Sequence, residues 1–245
     1  MIIQSDYATD RRAAQQNTQP SLWKRLKSLL YSAFLMFIAT SVVIVILLRW
    51  LPVPTSAFML YRHFEDVTEQ QTFKPIRYDW VSYEEISPHA SRAVVASEDQ
   101  KFYSHSGFDF ESIQKAIAAR AKGGKLRGAS TISQQVAKNL FLTPTKSLIR
   151  KGVEVWFTFL IESFWSKERI LEVYLNIAEF GDHLFGINEA SYKYFGVTPK
   201  RLSPAQAALL AATLPNPLRY QANHPSGYVF KRQRWILRQM RNLGS

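Results

Sequence analysis

The chain of 245 residues contains no cysteine. Disulfides, thiolate nucleophiles and thiolate metal sites are therefore excluded, while the compartment stays unassigned. Histidine is scarce: there are five, none with another at metal-ligand spacing, and no His-Glu-x-x-His run occurs. No metal ligand is assigned on this basis. Ser-x-x-Lys appears at 21–24 and 112–115, but no Ser-x-Asn or Lys-Thr-Gly accompanies it, so penicillin-type acyl transfer lacks its partners. The stretch "GASTI" (128–132) fails the nucleophile-elbow pattern at its last position. Internal repeats, low-complexity tracts and strand-like alternation are missing too, which points to a mainly α protein. The last absence is local. From Ser112 to Val153 there are nine Lys or Arg and not one Asp or Glu.

The formal net charge is +12, which favours an anionic partner: phosphate, nucleic acid or anionic lipid. The length suits one domain with an appendage. That appendage is the uncharged run "LLYSAFLMFIATSVVIVILL" (29–48), 20 residues. At a rise of about 1.5 Å per residue it covers the roughly 30 Å of a bilayer's hydrocarbon core. A cleaved signal peptide would carry a shorter apolar region, and "TSA" (55–57) is a weak cleavage site, so a retained anchor is expected. Arg11, Arg12, Lys24, Arg25 and Lys27 precede the run and only Arg49 follows closely. The positive-inside rule then puts residues 1–28 in the cytoplasm as a tail, 29–48 across the inner (cytoplasmic) membrane, and 52–245 outside it. Trp23 and Trp50 bracket the span as interfacial anchors. An outer domain argues against nucleic acid as its partner.

Within that domain, residues 55–86 read as mixed, with 73–86 extended or irregular. Ser87-Pro88 is an N-cap and first helical residue for a helix ending near Glu98. A second helix covers 110–124, with Phe110, Ile113, Ile117 and Ala121 on one face and Gly123 and Gly124 as the stop. A third covers 130–141, with Ser130 as its cap. Helices follow over about 146–165, from Ser166 onward, and over 186–195. Ser203-Pro204-Ala205-Gln206 is a capping box that opens another, and the last covers about 227–243.

Two acids, Glu98 and Asp99, end the first of these helices in "SEDQKFYSHSG" (97–107). They are either solvated helix-end charges or catalytic. The acid-free stretch is either a solvated basic face or an anion site. Its cations interleave with amides and hydroxyls: Gln134 and Lys138 are four apart, as are Gln135 and Asn139, which makes rows of donors suited to phosphate and sugar. Gly123, Gly124 and Gly128 precede that helix, and its N-terminus favours an anion. Glu154, in "RKGVE" (150–154), follows Arg150 and Lys151 and shares a face with Phe157 and Ile161; alone it would be an ordinary intrahelical ion pair.

Taken jointly, "EDQKFYSHSG" (98–107), "GASTISQQVAKNL" (128–140), "RKGVE" (150–154), "KERILEVYLN" (167–176), "GINEASYKYFG" (186–196) and "AALLAATLPNP" (207–217) resemble the peptidoglycan glycosyltransferases of family 51, in order and spacing, over about 80–220. The chain ends at Ser245 without room for a transpeptidase domain, so the resemblance is to the family's monofunctional, biosynthetic transglycosylases. One departure is Gln206, where the family often carries an acid; a structural role is expected for it.

The resemblance implies a lysozyme-like, two-lobed, largely helical domain behind one N-terminal transmembrane helix, the smaller lobe lying against the membrane. It implies polymerisation of lipid II, the 4-hydroxyl of an acceptor GlcNAc displacing undecaprenyl diphosphate from the growing strand with inversion to a β-1,4 linkage. Glu98 would be the general base, with Phe102 beside it as apolar cover. Lys138, Arg150, Lys151 and Lys146 would face the diphosphate, and Glu154 would orient those cations or help hold a divalent ion, magnesium or manganese. Ser130, Thr131, Gln134, Gln135 and Asn139 would bind sugar and phosphate, His105 would position, and Asp99 would cap or orient the loop. Partners would be lipid II, the nascent glycan strand, membrane lipid and other cell-wall synthesis proteins. Two rivals stand beside this. A membrane-anchored lytic muramidase-like enzyme would share fold and acid but needs no diphosphate clamp. A non-enzymatic wall-binding adaptor would keep its function in a Glu98→Gln variant.

Overall fold

The computed structural model describes residues 21–69, 73–121, 123, 130–145 and 147–243. It divides into two compact units, 1–44 and 45–245. The first is essentially one helix, α1 (Leu22–Leu47), whose end runs into the second unit. It is long and apolar enough to cross a membrane, and Leu29, Leu30, Phe34, Leu35 and Met36 turn outward, as a lipid-facing helix requires.

The second unit is almost wholly helical: α2 (Ala57–Thr68), α3 (Pro88–Glu98), α4 (Phe110–Ala121), α5 (Ile132–Phe141), α6 (Leu148–Phe164), α7 (Lys167–Ile177), α8 (Ile187–Phe195), α9 (Pro204–Thr213) and α10 (Gly227–Asn242). A short antiparallel pair, β1 (Glu179–Gly181) and β2 (Leu184–Phe185), separates α7 from α8. The caps follow the sequence closely. Ser87, Ser147, Ser166 and Ser203 each accept a hydrogen bond from the first turn of the helix they precede, and Pro88 and Pro204 occupy positions where no amide donor is needed. Gln206 closes the capping box at Ser203, with its side chain accepting from the Ser203 amide at 2.9 Å, so the departure from the family acid has the structural role expected of it.

Helix α7 is the centre. Ile170, Leu171, Val173, Tyr174, Leu175, Asn176 and Ile177 are all buried. Around it α5 packs on α6 and α7, while α3 packs on α9 and α10. Asn176 ties the irregular segment to this core: it donates to Val81 O at 2.8 Å and accepts from Val81 N at 2.9 Å. At the end of α1, Trp165 Nε1 donates to Val45 O at 2.8 Å. Arg169 donates to Leu48 O at 2.8 Å and Leu51 O at 2.5 Å, its guanidinium set over the rings of Trp80 and Trp165.

The structure departs from the sequence reading at four points. Residues 57–68, within the segment read only as mixed, form α2, capped by Ser56. The cap of α5 is Thr131 and not Ser130, since Thr131 and Gln134 bond reciprocally. None of Phe110–Ala121 is buried in α4, and Phe110 and Ile117 are 69% and 63% exposed. That helix ends at Ala121, ahead of the glycines. The β1–β2 hairpin has no counterpart in the sequence reading. The tail before Ser21, Gly124 and Gly128, and Lys146 lie outside the described residues.

Candidate active site

Glu98 is the last residue of α3. Its carboxylate holds three contacts of different strength. Oε1 accepts from Ser97 Oγ at 2.9 Å and from Arg232 Nη2, on α10, at 3.1 Å. Oε2 accepts from Gln135 Nε2, on α5, at the longer distance of 3.3 Å. Gln135 is held from behind: its Oε1 accepts from the Tyr174 hydroxyl at 3.3 Å. Burial, reinforced by the Glu98 charge, holds the Tyr174 phenol well above its usual 10.0, so it stays protonated as a donor. Arg232 also donates to Ser97 Oγ at 2.9 Å, and its buried Nε has no hydrogen-bond partner among the described residues.

Asp99 does something else. It is buried, and both its oxygens lie 3.0 Å from His105 Nε2. Its Oδ2 also accepts from the Ile132 amide at 3.0 Å, which satisfies an orphan donor in the first turn of α5. Because Gly107 N donates to His105 Nδ1 at 3.1 Å, the ring carries its proton on Nε2, toward Asp99. Thr131 Oγ1 donates to Gly107 O at 2.6 Å. Lys167 completes the frame, donating to His105 O and Glu162 and lying 4.4 Å from the centroid of the Phe102 ring. The loop after α3 is thus bolted to α5, α6 and α7, which fixes Glu98 relative to Gln135.

A cationic cluster stands on α5 and α6. Glu154 is buried, with Arg150 Nη1 2.8 Å from Oε2 and Lys151 Nζ 2.5 Å from Oε1. Lys138 lies over the Phe58 ring at 5.1 Å. Burial pulls its ammonium below the usual 10.5. Glu154 and Glu98 act against that pull, and Arg150 and Lys151 add to it. One electrostatic neighbourhood therefore contains the acid, the buried carboxylate and three cations.

Two clefts meet at Glu98. The smaller, about 270 Å³, is lined by Ser97, Glu98, Asp99, Lys101, Asp109 and Ser130. The larger, about 850 Å³, is lined by Glu98, Ser130 and Gln135 on one side and by Tyr228, Lys231, Arg232, Trp235 and Arg238 of α10 on the other. The carboxylate is the wall between an acidic and hydroxylic cleft and a cationic and aromatic one.

The sequence-derived residues thus divide. Glu98, Ser130 and Gln135 line the clefts, with Asp99 and Thr131 also at the smaller one. Lys138, Arg150, Lys151 and Glu154 gather as one group, and Asn139 Oδ1 is buried without a hydrogen-bond partner among the described residues. Asp99, His105, Thr131 and Gln134 spend their polar atoms on one another and on backbone. Gln134 therefore does not share an exposed row with Lys138. Phe102 is fully buried and covers His105 and Lys167, not Glu98. Both Glu154 oxygens are engaged by cations of this chain, and among the described residues no three His, Asp or Glu gather as metal ligands. Arg232, Ser97 and Tyr174 escaped the sequence reading.

A family model described as Transglycosylase matches residues 65–241. The biosynthetic peptidoglycan transglycosylase of Cronobacter sakazakii is 52% identical over 227 residues, 93% of this chain and 94% of that one. Those of Mannheimia succiniciproducens and Pseudomonas entomophila are each 51% identical, over 208 residues (85% of both chains) and 224 residues (91% of this chain and 93% of the other).

Proposed function

Since the chain belongs to the transglycosylase family, we propose that this peptidoglycan glycosyltransferase extends glycan strands from lipid II with Glu98 as general base and the Lys138, Arg150 and Lys151 group facing the leaving diphosphate. The observation that carries the assignment is the position of Glu98 on the wall shared by two clefts, in the same field as that group. An inverting displacement needs this arrangement. The acceptor hydroxyl approaches from one side of the anomeric carbon, its proton passes to Glu98, and charge grows on the diphosphate as it departs from the other side. Cations already fixed in place stabilise that charge without reorganising. Glu154 keeps Arg150 and Lys151 together and so holds two of the cations at close quarters despite their repulsion. A magnesium or manganese ion, in this reading, enters with the substrate's diphosphate and not on Glu154. A lytic enzyme would have no use for such a group.

The anchor fits the same reading. The N-terminus lies in the cytoplasm, α1 crosses the inner membrane once, and the catalytic unit stands on the periplasmic side, where substrate and enzyme share one bilayer and the search is two-dimensional. The uncovered Phe110 and Ile117 of α4, with Leu148 and Ile149 at the start of α6, are among the exposed apolar groups that could meet lipid. Other cell-wall synthesis proteins would join it there.

Polymerisation of lipid II by the purified protein tests the assignment. Glu98→Gln keeps the shape of the side chain and removes the base, and should lower the rate by roughly 10²–10⁴-fold while the fold survives. Glu154→Gln should also lower it, through release of Arg150 and Lys151. Undiminished polymer from Glu98→Gln would overturn the base, and glycan fragments made from finished wall in place of polymer would favour the lytic rival.

A further inference from the structure

The two oxygens of Glu98 are not equivalent. Oε1 is committed to Ser97 and to the Arg232 cation at 2.9 and 3.1 Å. Oε2 has a single, long contact at 3.3 Å from the neutral Gln135 amide. A proton arriving at Oε1 would have to compete with a guanidinium; one arriving at Oε2 displaces only a weak donor. A carboxamide can point either way round, and here its two neighbours agree: the Glu98 carboxylate only accepts and so takes the NH₂, while the Tyr174 hydroxyl donates to the oxygen on the far side. The reverse orientation would set a carbonyl against a carboxylate. Tyr174 itself cannot reorient, since it is 2% exposed in the middle of α7.

We infer that Tyr174 is a positioning residue for the transfer: acting through Gln135, it holds the amide with its NH₂ toward Glu98 and thereby presents Oε2 of Glu98 as the proton acceptor. The inference rests on Glu98 being the base. In the step, the acceptor 4-oxygen forms its bond to the anomeric carbon as the bond from that carbon to the diphosphate oxygen breaks. The bonding pair leaves with the diphosphate, and the hydroxyl proton moves to Oε2. Gln135 yields its long hydrogen bond as Oε2 becomes protonated, while Arg232 and Ser97 keep the carboxyl group from rotating.

The test is steady-state polymerisation of lipid II by the full-length chain, with kcat and KM measured separately for Tyr174→Phe, Gln135→Met and the double variant. Tyr174→Phe removes one oxygen and keeps the packing. It should lower kcat about tenfold, the worth of a hydrogen bond that steers a charged group, with KM within about twofold and the thermal midpoint within a few degrees. Gln135→Met should lower kcat similarly, and the double variant should be no slower than Gln135→Met alone, because both substitutions break one relay. A role in packing alone predicts the opposite: losses that multiply in the double variant, or a lowered midpoint with kcat per folded molecule unchanged. Either result, or wild-type kcat in Tyr174→Phe, overturns the inference. Should Tyr174→Phe fail to fold, Gln135→Met decides: wild-type kcat there overturns it, and a kcat loss at unchanged KM supports it. Glu98→Gln run alongside separates the two levels, since an active Glu98→Gln variant removes the base itself, whereas an inactive one leaves the Tyr174 result to stand alone.

Discussion

In the proposed reaction Lys138 serves the leaving diphosphate, and its burial sets that role against the stability of the fold. Burial disfavours its ammonium, so the folded chain releases this proton at lower pH than the unfolded chain does. Between the lowered value and 10.5 the unfolded chain binds more protons, and this residue's contribution to stability rises with pH across that window. Lys138→Met should therefore lower polymerisation at least about tenfold, as loss of a fixed cation opposite developing charge does, without lowering the thermal midpoint, and should flatten the alkaline rise in stability. Arg150 and Lys151 would still neutralise Glu154 in that variant. Measuring polymer yield and pH-dependent unfolding on the same preparation checks both halves. The two neighbouring acids make the complementary point. Sequence places Glu98 and Asp99 together at a helix end, and only the fold separates a carboxylate open to two clefts from one consumed by His105 and Ile132. Glu154 and its cations were legible because helical spacing of three and four residues dictates their contact. Arg232 was not, since nothing local brings positions 98 and 232 together.

At the scale of elements, the caps were legible and the burial of faces was not. A Ser-Pro step or a Ser-x-x-Gln box is a local chemical solution to unpaired amides, so α3, α7 and α9 begin where the sequence places them. The stripe on α4 is equally regular, yet amphipathicity states only that an apolar surface exists, not what covers it. Helix α2 was missed although Leu60, Phe64 and Val67 recur at helical spacing behind the Ser56 cap; those three stay exposed while Met59 is buried. The loop between α3 and α4 depends on Gly107, whose φ is +88° and whose added Cβ would lie 2.9 Å from both Glu162 Cγ and Thr158 Cγ2. Gly107→Ala should destabilise the catalytic unit by at least about 2 kcal/mol, read by chemical denaturation, from the left-handed backbone alone. Because Thr131 and His105 hold that same residue, polymerisation should fall along with stability.

For the whole molecule, the boundary between anchor and catalytic unit is not the end of the apolar run. Val45, Leu48 and Leu51 give their carbonyls to Trp165 and Arg169, so the last turn of α1 and the residues after it belong structurally to the catalytic unit. A chain begun at Val45 should keep a higher thermal midpoint than one begun at Val53, which forfeits those bonds at about 1 kcal/mol each; differential scanning of the two proteins makes the comparison.

The contact between Glu98 and Arg232 spans 134 positions. During synthesis the acid emerges long before the guanidinium that steadies it, and the larger cleft has no far wall until α10 arrives. A nascent chain short of α10 thus carries Glu98 without its cationic partner, and the larger cleft takes shape only when that helix docks.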